Sequence, residues 1–119
     1  MATLEAATRV GTGVLPHRTL LARTLNADGQ HAEALRVAER SLAAAEERRA
    51  GLRHTAAIGL ALLEVAAARA GVGDTAPAKE VLACALEHLN ATYGPKADTT
   101  LRAERLRQRL SADSPLPPG

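Results

Sequence analysis

Phenylalanine and tryptophan are absent from this 119-residue chain, and Tyr93 is its only aromatic residue. That removes the large planar side chains that fill most cores, and the stacking platforms on which single-stranded bases rest. Cysteine is equally scarce. Cys84 stands alone, so no internal disulfide is possible and a reducing, cytoplasmic compartment is expected. No run reaches the ~20 apolar residues that a helix needs to span a bilayer. The stretch from Met1 to Val10 carries Glu5 and lacks the apolar segment of a signal peptide. Charge of one sign is not in surplus either: the net charge is +2 with acids and bases interspersed, so no long-range field for nucleic acid or an anionic membrane is expected. The 13 arginines against 2 lysines are read as a compositional bias.

What the chain does have is alanine, 27 times, and leucine, 18 times. Both are strong helix formers, and the composition predicts an all-α fold. A chain of this length fits one domain. Burial yields roughly 25 cal/mol per Å² of apolar surface, so small alanine side chains must stabilise through close helix approach, and marginal stability as a monomer is expected.

Residues 1–15 are expected to form an arm or short helix, because Gly11, Gly13 and Pro16 interrupt the pattern. Residues 16–110 form the predicted helical domain and 111–119 a flexible proline-rich tail. A first helix runs from about Pro16 to Ala27, with Leu20, Leu21 and Leu25 as its apolar stripe and Asp28-Gly29 as its stop. A second continues to about Arg49 on the stripe Ala34, Leu35, Ala38, Leu42 and Ala45. Thr55 is the expected N-cap of a third, Ala56 to Ala70, in which only Glu64 and Arg69 are charged. A helix so apolar on all sides belongs at the centre of a domain or of a dimer. After the turn Gly71 to Asp74, a fourth helix carries Ala78, Val81, Leu82, Ala85, Leu86 and Leu89 and ends near Gly94-Pro95. A fifth, Asp98 to Leu110, sets Leu101, Leu106 and Leu110 among arginines and closes the fold.

The first two helices relate to the next two as copies of one helical hairpin. In the first copy Leu21-Ala22, Leu25, Gly29, Glu33-Ala34-Leu35, Ala38 and Ser41-Leu42 give an apolar and a small residue, a turn glycine, and a small residue where the helices cross. The second offers Val65-Ala66, the Gly71 to Asp74 turn, Ala78, Leu82 and Ala85-Leu86, with Ala78 standing 44 residues after Ala34. This pattern resembles the tetratricopeptide repeat, and its length, with Tyr93-Gly94-Pro95 and then Asp98, is similar to the extended kinesin-light-chain-type repeats of many bacterial scaffold and signalling proteins. The resemblance covers roughly Pro16 to Leu110 and implies two stacked antiparallel hairpins with a capping helix. Two residues depart from it. Arg18 stands where the first helix usually offers a large apolar residue. Aligning Gly73 with Gly29 puts Arg69 at a normally apolar position, whereas aligning Gly71 puts Glu64 where a small residue belongs. Both alignments remain open, and a local shift in the third helix is expected.

Sites of chemistry are few. His17, His31, His54 and His88 form no helical ligand pair, and no metal or other cofactor is expected. Cys84 falls on the inward-leaning half of the fourth helix, where a thiol acts as a small hydrophobe; only His88, one turn on, could activate it. Neither glycine pair, Gly11 with Gly13 or Gly71 with Gly73, sits between a strand and a helix as a phosphate loop must. No enzymatic activity is expected. The positive reading is a protein- or peptide-binding module. Thr19, Arg23 and Asn26, opposite the assumed leucine stripe of the first helix, are the expected ligand-facing residues, with Arg23 suited to a carboxylate and Asn26 to a peptide backbone. The alternative is a regulatory or nucleic-acid accessory protein contacting phosphate through Arg102, Arg105 and Arg109. Two repeats leave open ends, so a homodimer or docking onto a larger protein is expected.

Overall fold

The computed structural model describes residues 17–113, and all of its regular structure is helical. The helices are α1 (His17–Ala27), α2 (His31–Glu47), α3 (Ala56–Gly71), α4 (Thr75–Thr92) and α5 (Asp98–Asp113). The predicted N-terminal arm, the helix start at Pro16 and residues 114–119 of the tail lie outside the described residues. α5 continues to Asp113, three residues beyond the predicted end of the domain, and α2 stops at Glu47.

Local chemistry accounts for the ends. Thr55 is extended (φ −136°, ψ 145°), and its hydroxyl accepts from the Ile58 amide, the capping role expected of it. α1 and α3 terminate alike. Gly29 (φ +81°) and Gly73 (φ +95°) take the left-handed conformation that lets a chain reverse without a Cβ clash. The Gln30 amide then reaches Leu25 O at 2.9 Å, and the Asp74 amide reaches Arg69 O at 2.8 Å. The two hairpins are therefore in register on Gly29 and Gly73.

That register extends through the buried faces. α2 buries Ala34, Ala38, Ser41 and Ala45, and α4 buries Ala78, Leu82, Ala85 and Leu89 at the matching positions. Gly71 belongs to the last turn of α3 instead, where a Cβ would collide with the His31 ring. Arg69, matching Leu25, needs no local shift of the helix: it is half-buried and ion-paired to Glu39 of α2 at 3.2 Å and to Asp74 at 3.8 Å. The shift expected from the sequence does not occur.

Each helix packs on its neighbour in sequence, and α1 also meets α3, which meets α5. α3 therefore touches all four other helices and buries Ile58, Leu60, Leu63 and Val65 among others. The burial its all-round apolar character demands is met within one chain. The main core joins Leu60, Leu63 and Ala66 to Leu82, Ala85 and Leu89 of α4 and to Ala103, Leu106 and Leu110 of α5. A smaller cluster, Ala22, Ala38 and Val65, holds the first hairpin to it.

Candidate functional site

The most deeply packed face of α1 is offset from the leucine stripe, of which Leu20 and Leu25 are half-buried and Leu21 is exposed. Thr19 is 2% exposed and Ala22 is fully buried, whereas Leu21 is 43% exposed. Opposite them α2 presents alanines and Ser41, small enough for the helices to approach closely. The Thr19 hydroxyl is hydrogen-bonded to that of Ser41, which satisfies two polar groups that burial would otherwise leave unpaired. Thr19, expected to face a ligand, is thus a packing residue. Leu101, expected in the stripe of α5, is likewise exposed.

Asn26 is also engaged. Its Nδ2 donates to both Glu64 O and Glu64 Oε1 at 3.1 Å, and its Oδ1 accepts from His31 Nδ1 at 2.9 Å. Glu64 has 3% of its side chain exposed. Arg102 closes on it with two parallel bonds, Nη1 to Oε2 at 2.7 Å and Nη2 to Oε1 at 3.2 Å. One polar chain, His31–Asn26–Glu64–Arg102, therefore ties α2, α1, α3 and α5 together. Glu64 stood out in the sequence as a charge in an apolar run, but its partners lie 38 residues away in either direction. No spacing rule finds contacts of that kind.

This chain of side chains lies at a groove bounded by α1, α3 and α5. One bay of about 600 Å³ is lined by Arg23, Asn26, His31, Ala67, Arg102 and Arg109 among others. A second of about 550 Å³ is lined by Thr19, Arg23, Glu64, Tyr93, Asp98 and Arg105 among others. Arg23 and Arg102 border both bays, so the two adjoin along the same side of the helices. Residues read separately from the sequence, Arg23 on α1 and Arg102, Arg105 and Arg109 on α5, meet there. Arg102 is held by Glu64 and is not available to a phosphate. Arg23, Arg105 and Arg109 make no hydrogen bond or ion pair with any described residue.

The other candidates separate. Cys84 is exposed, not inward-facing, because the buried stripe of α4 runs through Leu82, Ala85, Leu86 and Leu89. His88 is buried and its Nδ1 accepts from the Thr55 amide at 3.0 Å, which commits that nitrogen to the loop before α3. The fold also brings His54 against His88, edge to face at 5.3 Å, although the two are remote in sequence. Burial, with help from the nearby His54 and Arg49, holds the His88 pKa below its ordinary 6.5. No group of three or more His, Cys, Asp or Glu side chains among the described residues is placed to hold a metal ion, and no described helix is long and apolar enough to cross a membrane.

No family model, curated protein or solved structure matches the chain.

Proposed function

We propose that the chain is a non-catalytic, cytoplasmic scaffold module of tetratricopeptide type that holds a peptide segment of another protein in the groove between α1, α3 and α5. The observation that carries this reading is that alternate helices meet along one side of the stack and enclose a two-bay groove bordered by Arg23 and Arg102. Tandem helical hairpins use such a surface to receive an extended or helical peptide. The polar chain through Glu64 supports it, because it fixes the groove floor before any ligand arrives, which lowers the ordering cost of binding. Leu21, exposed on the outer side of α1, is where a second copy or a larger partner would cover the open end of the stack.

The nucleic-acid alternative loses support, since Arg102 is committed to Glu64 and only Arg105 and Arg109 remain of the three arginines it requires. The test is backbone amide NMR during titration with a mixed library of short peptides. Shifts confined to α1, α3 and α5 are the expected result. Shifts on the outer faces of α2 and α4, or none, would sink the proposal.

A further inference from the structure

We propose that the groove selects an acidic peptide segment, one with carboxylates at alternate positions of an extended chain, through Arg23, Arg105 and Arg109; this rests on the groove reading above. Arg36, Arg69 and Arg107 are each paired with an acid on the surface, and Arg102 is locked to Glu64. Arg23, Arg105 and Arg109 stand at the groove without a partner among the described residues, one on its α1 wall and two on its α5 wall. The carboxylate in the groove floor, Glu64, is already neutralised by Arg102, so it does not cancel these charges. Asp98, exposed on the lining of the second bay, is the remaining acid there. Low-dielectric helix walls on either side focus the field of the three guanidiniums into the groove.

Spacing narrows the ligand. Arg105 and Arg109 are one helical turn apart, about 6 Å along the axis at 1.5 Å per residue. Alternate side chains of an extended peptide fall on one side at a repeat of about 6.6 Å. Two carboxylates at positions i and i+2 therefore meet Arg105 and Arg109 in step, while Arg23, which borders both bays, faces the peptide from the opposite wall. Guanidinium forks bind carboxylates with paired, charge-assisted bonds, so the arginines discriminate glutamate from its neutral amide.

The occupant is a peptide rather than a nucleic acid on two grounds. Bays of about 600 and 550 Å³ take a few residues each, not a duplex. Outside the groove the exposed arginines of α2 alternate with Glu33, Glu39, Glu46 and Glu47, and α4 exposes Glu80 and Glu87, so a polyanion that extends past the bays finds no continuous basic track.

Fluorescence anisotropy tests this with three labelled probes: a capped octapeptide alternating glutamate with serine, its glutamine-for-glutamate counterpart, and an oligothymidylate of equal length. The acidic peptide is expected to bind about tenfold or more tighter than the glutamine peptide, the difference that one or two charge-assisted bonds supply. Arg105→Gln and Arg109→Gln should each weaken the acidic peptide about fivefold, and Arg40→Gln, on the exposed face of α2, should leave it unchanged. Equal binding of acidic and glutamine peptides, both abolished by Ala27→Trp at the rim of the first bay, would overturn the charge selection and leave the groove reading standing. No peptide bound at all would overturn both, and oligothymidylate bound more tightly than the acidic peptide would overturn the choice of ligand.

Discussion

A carboxylate removed from water costs several kcal/mol unless donors replace its hydration, and Glu64 regains that cost from Asn26 and from both terminal nitrogens of Arg102. The pair is lopsided: 3% of the Glu64 side chain is exposed, against 31% of Arg102. Removing the arginine strands a buried anion, whereas removing the charge of Glu64 leaves an arginine that can turn into solvent. Arg102→Ala is therefore expected to destabilise by about 3 kcal/mol, and Glu64→Gln, which keeps the side-chain shape and an acceptor for Asn26, by about 1 kcal/mol. Urea unfolding with unchanged m-value measures both, and equal losses would show that the two groups are equally solvated. The network also explains why side-chain roles on α1 were only partly legible. Leucines 20, 21 and 25 make a plausible stripe by periodicity, but the inward face was decided by what α2 and α3 offer. They offer Ser41 and Glu64, so Thr19 and Asn26 are the residues that go inside. Arg23, with no such partner, is the one member of that trio left at the groove with its charge available.

At the scale of the element, the junction between the loop before α3 and the body of α4 holds a titratable group. The Thr55 amide donates to His88 Nδ1 while the Thr55 hydroxyl caps α3, so one residue serves two partners. Protonating Nδ1 removes the acceptor and adds a charge among His54 and Arg49, with the carboxylate of Glu87 acting the other way. Because the folded pKa lies below the unfolded 6.5, the unfolded chain binds more protons as the pH falls. The stabilisation is present above pH 6.5 and is lost as the pH drops through the folded value. The melting temperature should accordingly fall between about pH 7.5 and about pH 5.5, and His88→Gln, which retains an acceptor but no titrating proton, should flatten that part of the profile. A variant as pH-dependent as the parent would place the titration elsewhere. The elements themselves were readable because their signals are local: Thr55 before an apolar run, a left-handed glycine after α1 and after α3, and a buried stripe repeated from Ala34 to Ala78. The register of α3 was not, since Gly71 and Gly73 both look like turn residues in sequence. The positive φ of Gly73 and the packing of His31 against Gly71 tell them apart.

For the whole molecule the arrangement is close to one-dimensional, each hairpin contacting the next, and stability in such stacks follows from how much each interface buries. The interfaces are unequal. α3, α4 and α5 share a core containing Leu60, Leu63, Leu82, Leu86, Leu89, Leu106 and Leu110. α1 is held through Ala22 in a cluster with Ala38 and Val65, and through hydrogen bonds from Thr19 and Asn26. A fully buried leucine contributes about 1.5–3 kcal/mol, and α1, whose Leu20 and Leu25 are only half-buried, supplies none, so the α1 interface is the weak link of the stack. Local opening should therefore begin at α1. Native-state hydrogen exchange is expected to give α1 amides the lowest protection, and the amides of α3 and α4 protection equal to global unfolding. A groove whose α1 wall opens first would admit ligand by that motion, so a saturating peptide should raise protection on α1 more than on α4. Uniform protection across all five helices, with or without peptide, would mean instead that the chain unfolds as one cooperative unit and that the Glu64 network binds α1 as firmly as the leucine core binds α5.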